Sequence, residues 1–163
     1  MKHLISIDPS INNCGVAVFE NKKLKDYFLL KSNRSNDYLE KCRYMVSNID
    51  KLYGKLCNCQ LVIEIPQHFG SSVERGFLGR ESGSIYKLTF LCGMLYNIDD
   101  TVVGYTPNQW KGQLPKDVTA RRLQKYYPKH KFIILKDKDI KFIVDHNVLD
   151  AIAIGHYYLF KKI

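Results

Sequence analysis

The sequence predicts an α/β fold in which a mixed β-sheet carries helices on both faces. Three short apolar runs open the chain, and helical and extended patterns then alternate towards its end. Because parallel strands need long crossover connections, which are usually helical, the later strands are expected to lie parallel to the first. A length of 163 residues with 45% hydrophobic residues is enough for one sizeable core. We therefore expect a single domain, residues 1–163, built on a five-stranded sheet.

The first half of the chain predicts a strand meander followed by a helix and a buried strand. Runs at 3–8, 14–20 and 24–30 are rich in Ile, Val, Phe and Tyr and are separated by turn-forming residues. A helix is predicted from Asp37 to about Gly54, with Glu40 placed three residues after Asp37 as in a capping box. Residues 60–65 form a continuous apolar strand that Pro66 ends.

The second half alternates helices and strands. A loop rich in Gly, Ser and Arg spans 70–83, and the elements that follow are expected to be a helix at 84–96, a strand at 101–105, a basic helix at 117–127 and a terminal helix at 147–160. Residues 131–144 show no decisive pattern. The predicted element order is therefore βββ-α-β-α-β-α-α.

Basic residues are concentrated in one part of the chain. The formal net charge is +9, and residues 105–141 hold ten basic residues against three acidic ones. A lysine-rich solvated background would give the same total charge but not this asymmetry. The distribution favours a polyanionic partner.

Cysteine content and hydropathy indicate a cytoplasmic protein. The five cysteines are an odd number and lack the spacing of a zinc site, so we interpret them as reduced and mostly packed in the core. No apolar run reaches the roughly 18 to 20 residues that span a bilayer, and the start of the chain lacks a signal-peptide pattern. We expect a soluble protein that does not act at a membrane and has no small-molecule cofactor.

Three acidic residues stand in apolar elements, where an isolated carboxylate is costly unless it is paired or bound to a metal. Asp8 ends the first strand, Glu64 interrupts the most apolar strand, and Asp150 lies in an apolar part of the terminal helix. Each alone has an ordinary structural explanation, such as a turn or a solvated edge. Together they are better explained by a shared site for hard divalent cations, Mg²⁺ or Mn²⁺. Two such ions would support hydrolysis of a phosphodiester bond by an activated water.

The arrangement of these acids resembles that of the RuvC-type Holliday junction resolvases of the RNase H-like superfamily, particularly their bacteriophage branch. The resemblance rests on Asp8-Pro9-Ser10 after the first strand, Gly15 in the second, Glu64 in the fourth and Asp150 in the last helix. The segment 105–112, with Pro107, Trp110, Lys111 and Gly112, is similar to a Pro-x-x-Trp-Lys-Gly segment of phage members.

This resemblance implies a homodimer that binds four-way DNA junctions and cuts two opposed strands. It also implies that Asp8, Glu64 and Asp150 are catalytic metal ligands, with two Mg²⁺ ions in each active site. If the chain is encoded by a phage, its location would be the host cytoplasm.

A fourth ligand is less well defined. Bacterial members commonly have an Asp three residues before the helical Asp, and this chain has Asn147 there. The other candidates are His146 and Asp145, and we select Asp145 for its hard oxygen ligands. Asp145 can reach the site only from the helix start, because five helical residues rotate it about 140° from Asp150. Its alternative role is that of an ordinary N-cap.

Candidate DNA contacts lie in two regions. Lys111 and Lys116 are expected to bind phosphates, and Arg121 and Arg122, together with Lys125 and Lys129, extend a basic face. The loop after Glu64 carries Arg75, Arg80 and Phe69, where an aromatic ring could stack on bases opened at a branch. For every one of these residues, a solvated surface or core position is the alternative. Trp110 is interpreted as a core anchor with no functional role.

Three other functions compete with a junction resolvase. The same acids would serve an RNase H-like nuclease that acts on a hybrid or on another branched substrate. A non-catalytic DNA-binding module could retain the fold. An actin-like phosphotransferase also opens with Asp, a turn and Gly, but this chain is too short for one and lacks its second Gly-rich phosphate loop.

Overall fold

The fold was analysed in a computed structural model, which describes residues 2–67, 82–136 and 139–163. Its central element is a five-stranded sheet, formed by β1 (His3–Asp8), β2 (Asn13–Glu20), β3 (Lys23–Lys31), β4 (Cys59–Glu64) and β5 (Val103–Tyr105). The strand order is β3-β2-β1-β4-β5. The meander β1-β2-β3 is antiparallel, while β4 lies parallel to both β1 and β5. The predicted mixed sheet is confirmed.

Helices alternate with these strands and follow them in the chain. They are α1 (Tyr38–Gly54), α2 (Ser82–Tyr96), α3 (Pro107–Trp110), α4 (Lys116–Tyr126) and α5 (His146–Phe160). Asp37 caps α1, because its Oδ1 accepts a hydrogen bond from the Leu39 backbone N–H at 2.9 Å. Within the described ranges, no helix combines the length and hydrophobicity that crossing a membrane requires.

Each face of the sheet has its own core. Side chains alternate along β1, so Ile5 and Ile7 pack with Met45 of α1, whereas Leu4 packs with α5 on the opposite face. The last helix lies across the centre of the sheet and contacts β1, β2, β3 and β4. Three of the five cysteines (Cys14, Cys42 and Cys92) are buried, and all five are free thiols.

A close approach of α5 to the sheet depends on small residues. A Cβ atom at Gly155 would overlap the ring of Phe19 and the hydroxyl of Ser6. That hydroxyl instead donates a hydrogen bond to the Ala151 carbonyl at 2.7 Å, which joins β1 directly to the helix backbone. These contacts fix the height of α5 above β1, and therefore the position of any side chain at its N-terminal end.

Three elements were not predicted. The helix α3 has four residues, too few to show a helical period, and the strands β6 (Ile133–Lys136) and β7 (Asp139–Phe142) form an antiparallel pair outside the main sheet. The pair lies in the segment 131–144, where the sequence shows no decisive pattern. Its exposed side chains include Ile134 and Phe142, so the usual separation of an apolar face from a polar one is weak there.

Candidate active site

Two of the three candidate acids end neighbouring parallel strands. Ile7 of β1 pairs with Ile63 of β4, so Asp8 and Glu64 follow at the same edge of the sheet. Because successive side chains alternate between faces, both point away from the α1 core and towards the face that α5 covers.

Asp150 approaches this edge from α5, one turn after the helix begins at His146. It is buried, with a relative exposure of 6%. Gly15 lies opposite Asp8 in the β1–β2 register, and a Cβ atom there would overlap the backbone carbonyl of Asn147. The missing side chain at Gly15 therefore lets the first turn of α5 lie directly against the sheet beside Asp8.

The carboxylates interact electrostatically. Burial raises the pKa of Asp8 well above its usual value, and the negative charges of Glu64 and Asp150 raise it further. Burial also raises the pKa of Glu64, although Lys111 and a hydrogen bond from Trp110 oppose that shift. Lys111 and Lys116 lower the pKa of both carboxyl groups. The site therefore holds more buried negative charge than its surroundings compensate, and a cation would relieve this imbalance.

Two adjacent residues after β5 contact the acids. The Trp110 Nε1–H donates a hydrogen bond to Glu64 Oε2 at 2.8 Å, and the Lys111 ammonium lies 3.3 Å from Asp150 Oδ2. The same ammonium lies 4.6 Å from the centre of the Trp110 ring. Pro107 at the first position of α3 and Gly112, whose φ is +55°, bracket this segment. A short helix and a left-handed turn thus present Trp110 and Lys111 to the acids.

The donor chemistry of this site fits a hard divalent cation. All three acidic side chains offer carboxylate oxygens, which are the ligands that Mg²⁺ and Mn²⁺ prefer. Within the described ranges, no three His, Cys, Asp or Glu side chains are grouped closely enough to hold an ion in their present conformations. Two of the acids are instead bound to protein groups, since Lys111 pairs with Asp150 and Trp110 with Glu64. In this arrangement, the ammonium of Lys111 supplies part of the positive charge that the carboxylates require.

Comparison with known proteins relates this architecture to solved structures only. Neither models of protein families nor the sequences of curated proteins match the chain. A structure of Thermus thermophilus RuvC in complex with a Holliday junction substrate superimposes with a TM-score of 0.71 at 17% identity, covering 99% of this chain and 94% of that one. The chain has the RuvC fold. A second Thermus thermophilus RuvC structure gives a TM-score of 0.65, also at 17% identity, over 98% of this chain and 97% of the other.

The candidate fourth ligand, Asp145, lies at the N-terminus of α5 of this RuvC-like fold. Its Oδ1 accepts a hydrogen bond from the Asn147 backbone N–H at 2.9 Å, so it is the N-cap. Its neighbour His146 is exposed, with Nδ1 3.7 Å from Asp145 Oδ1. Asn147 donates through Nδ2 to the Asn13 carbonyl at 2.7 Å. Asp145 and Asn147 therefore have local structural roles, and, besides burial, it is the charge of Asp150 in this helix that raises the pKa of Asp8.

The candidate DNA contacts are divided between described and undescribed parts of the chain. On α4, Ala120 and Leu123 are buried, while Arg121, Arg122 and Lys125 lie on the exposed side. Arg122 also donates to the backbone carbonyl of Ile163 at 2.6 Å. Lys116 begins α4 near the acids, whereas Lys111 belongs to the acid cluster itself. Three other candidates, Phe69, Arg75 and Arg80, lie outside the described residues, as does most of the loop predicted at 70–83.

Trp110 has a role that sequence analysis did not assign. It is buried, as expected of a core anchor, but its indole N–H also orients Glu64. The available sequence signal was the position of Trp110 directly before Lys111, a candidate phosphate contact. A single tryptophan gives no indication of its hydrogen-bond partner, however, and only the fold brings β4 and α3 together.

Proposed function

We propose that this chain is a metal-dependent endonuclease that binds four-way DNA junctions and hydrolyses phosphodiester bonds in them. The observation that supports this most is the placement of Asp8, Glu64 and Asp150 at one edge of a sheet in a fold shared with RuvC. One of those RuvC structures is a complex with a Holliday junction substrate. Because the identity to that RuvC chain is only 17%, the proposed activity is argued from the acidic site as well as from the shared fold.

The metal ligands in this proposal are Asp8, Glu64 and Asp150, with Asp145 as a fourth ligand. Two Mg²⁺ ions, or Mn²⁺, would activate the attacking water and stabilise the leaving oxygen. Asp145 would have to release its N-cap hydrogen bond to contribute, which makes it the weakest member of the set. Trp110 holds Glu64 in one orientation, and Lys111 places a positive charge beside Asp150.

The basic surface beside the acids would bind the DNA backbone. Lys116 contributes positive charge to the site from the start of α4, and Arg121 and Arg122 extend that charge along the helix. Arg75, Arg80 and Phe69 in the loop after β4 are proposed as contacts at the branch point. Phosphate contacts position the protein without reading sequence, so this surface suits recognition of DNA shape.

The active protein is proposed to be a homodimer. A helix face of α2 exposes Ile85, Tyr86 and Phe90, and Tyr86 retains 75% of its accessible surface. The ring of Phe90 packs edge-on against that of Tyr38, which is also exposed. Such an apolar patch is typical of a protein–protein contact. A second copy of this chain would cover it and place two active sites in one particle, as cutting two opposed strands requires.

A cleavage assay tests the proposed activity. The protein is incubated with four-way junction, three-way junction, RNA–DNA hybrid and linear duplex, with Mg²⁺ or Mn²⁺, beside Glu64→Gln as the matched inactive variant. We expect the unaltered protein to make paired nicks in the four-way junction and Glu64→Gln to make none. Preferential cutting of the hybrid or three-way junction would retain the metal site but change the substrate. Junction binding with no cleavage of any substrate would contradict a nuclease and favour a DNA-binding module.

A further inference from the structure

A second cavity lies at the opposite end of the molecule from the acids. It has a volume of about 750 Å³ and lies between the β2–β3 turn, the segment after α4 and the C-terminal end of α5. Asp8 ends β1, whereas the β2–β3 turn lies beside the start of β1, since Asn21 donates to the Lys2 carbonyl. Five residues of strand separate the two ends of β1, about 17 Å. The cavity is therefore distinct from the candidate active site.

The rim of this cavity is strongly basic. Among the described residues, its lining has no acidic side chain and includes five lysines: Lys22, Lys23, Lys25, Lys129 and Lys162. Lys25 is paired with Glu20 at 3.3 Å, but the other four have no salt bridge to any described residue. Both Asn21 and Lys22 have positive φ, as in the two-residue turn that suits a hairpin, and this turn presents the first two lysines. The rim would attract an anion.

The floor of the cavity is aromatic. Tyr126 and Phe160 each pack on the imidazole of His156, with ring-centre distances of 4.3 and 4.7 Å. Both are also partly exposed, at 43% and 40%. The cavity therefore offers a planar ligand a preformed aromatic surface, and the ammonium of Lys162 lies 6.0 Å from the centre of the Tyr126 ring. Bases are commonly bound to proteins by stacking of this kind.

One buried polar atom on this floor lacks a partner. His156 is 2% exposed, and its Nδ1 is hydrogen-bonded to the Tyr127 hydroxyl at 2.8 Å. Its Nε2 has no hydrogen-bond partner within the part of the chain that the structure describes. A neutral imidazole has one donor and one acceptor nitrogen, so Nε2 retains an unused hydrogen-bonding capacity next to the cavity. Unsatisfied buried groups are uncommon in proteins, and His156 itself lines the cavity.

We propose that this cavity binds a nucleotide, with the base on the aromatic floor beside His156 and the phosphate among the lysines. The volume lies in the range of about 300 to 1,000 Å³ that is usual for small-molecule sites. An inorganic anion would use the rim but not the floor, and an apolar ligand would use the floor but not the rim. A nucleotide uses both. It could be a free mononucleotide or one nucleotide of a DNA strand.

Calorimetric titration of the full chain with 5′-dAMP, without divalent metal, tests this proposal. Deoxyadenosine and inorganic phosphate are titrated separately, and each is expected to bind at least about tenfold more weakly than dAMP because it loses one half of the recognition. The variants Tyr126→Ala and Lys129→Gln should each weaken dAMP binding. Tyr44→Ala on α1, which is 40% exposed, is the matched control for loss of an exposed tyrosine and should bind normally.

Two results would overturn the nucleotide site. One is dAMP binding no tighter than that of inorganic phosphate, which would indicate general attraction of anions to lysine. The other is dAMP binding that survives Tyr126→Ala but is lost in Glu64→Gln, which would place the ligand at the acids. Neither result depends on cleavage. The nucleotide site can therefore fail this test while the proposed nuclease activity stands, and the nuclease activity can fail its own test while the nucleotide site stands.

Junction affinity distinguishes the source of the nucleotide. If a DNA strand supplies it, dAMP should compete with a four-way junction, and Tyr126→Ala should weaken junction binding. If a free nucleotide supplies it, the same variant should bind the junction as the unaltered protein does. Both outcomes support the pocket and assign its occupant.

Discussion

The two ends of the central sheet carry buried titratable groups in opposite electrostatic surroundings. At the C-terminal end of β1, Asp8 lies among other carboxylates, and both burial and their charges raise its pKa. At the other end, burial and the nearby Lys162 lower the pKa of His156 to about 4. Each neutral form is favoured because burial disfavours the charged form, and because that form would also add to charge of the same sign nearby. The acid end is therefore suited to a cation and the basic end to an anion.

The two ends also differ in how completely their polar atoms are used. In the acid cluster, Glu64 and Asp150 are held by Trp110 and Lys111. At the basic end, His156 Nε2 has no hydrogen-bond partner and four lysines have no salt bridge among the described residues. The acids are held by protein groups, so their side chains are organised before a ligand binds. The polar groups of the basic pocket lack such partners, so the pocket would be completed by its ligand.

The largest expected effect is loss of cleavage when an acid is neutralised. Asp8→Asn, Glu64→Gln and Asp150→Asn should each reduce the cleavage rate by more than the roughly 10- to 100-fold that removal of an outer partner of a metal ligand produces. Junction affinity should be retained or improved, because removing negative charge near phosphate reduces repulsion. Single-turnover cleavage and junction titration measure the two quantities. Parallel loss of binding and folding would show that the acids are structural.

The next largest effect is on the pH dependence of stability, which is expected to have opposite signs at the two ends. The folded-state pKa of His156 is about 4 against 6.5 for the ordinary value, so the unfolded state binds more protons between these pH values. The contribution of neutral His156 to the free energy of unfolding is therefore complete above pH 6.5, and about 3 kcal/mol of that contribution is lost as the pH falls towards 4. Chemical denaturation of His156→Phe should show a smaller acid-side loss than the unaltered protein. Equal losses would contradict the burial argument.

At the acid end, the pH dependence of stability is tested with Asp8→Asn, as it is with His156→Phe at the basic end. The raised pKa of Asp8 means that the metal-free folded state retains this proton to a higher pH than the unfolded state does. Stability from this group is therefore present below its unfolded pKa and lost as pH rises through the folded value. The Asn variant should remove that loss, so metal-free Asp8→Asn should become more stable than the unaltered protein as the pH rises to neutral.

The sequence predicted the sheet because strands and helices have local signals, and local signals also single out the acids, whose role as metal ligands stays a prediction. Continuous apolar strands and capped helices depend on neighbouring residues, and an acid in Leu61-Val62-Ile63-Glu64 stands out for the same reason. The loop at 70–83 and the candidates Phe69, Arg75 and Arg80 stay predictions. The β6–β7 pair was missed because its strands are four residues each and partly exposed.

The relations between distant residues could not be predicted. The indole of Trp110 reaches Glu64 across 46 positions, and the hydroxyl of Tyr127 reaches His156 across 29. The lysines of the basic pocket come from three separate parts of the chain. In the sequence they increase the net charge without indicating a cavity, because only the packing of α5 between the β2–β3 turn and the end of α4 brings them together.

A smaller effect is expected from loss of the indole hydrogen bond. Trp110→Phe retains an aromatic ring in the core but leaves Glu64 without its donor. Cleavage should fall by about 10- to 100-fold at limiting Mg²⁺ and recover at high Mg²⁺, because partners of metal ligands mainly affect metal affinity. The measurement is cleavage rate against Mg²⁺ concentration, with Tyr44→Phe on α1 as a control for loss of one polar group from an aromatic residue that has no proposed role. A uniform loss at every Mg²⁺ concentration would indicate a packing defect instead.

The smallest effect separates two lysines that the sequence treats alike. Lys116 is exposed at the start of α4, whereas Lys111 is paired with Asp150 at 3.3 Å. Lys116→Ala should reduce the dependence of log K on log salt by about 0.9, the contribution of one phosphate contact. Lys111→Ala should change that slope less, because its charge is already partly neutralised, yet it should reduce cleavage more because Asp150 loses its partner. Fluorescence anisotropy with a four-way junction at several salt concentrations gives both slopes. Equal slopes for the two variants would mean that Lys111 leaves Asp150 to bind phosphate, and the acids would then be free to hold a cation as soon as DNA arrives.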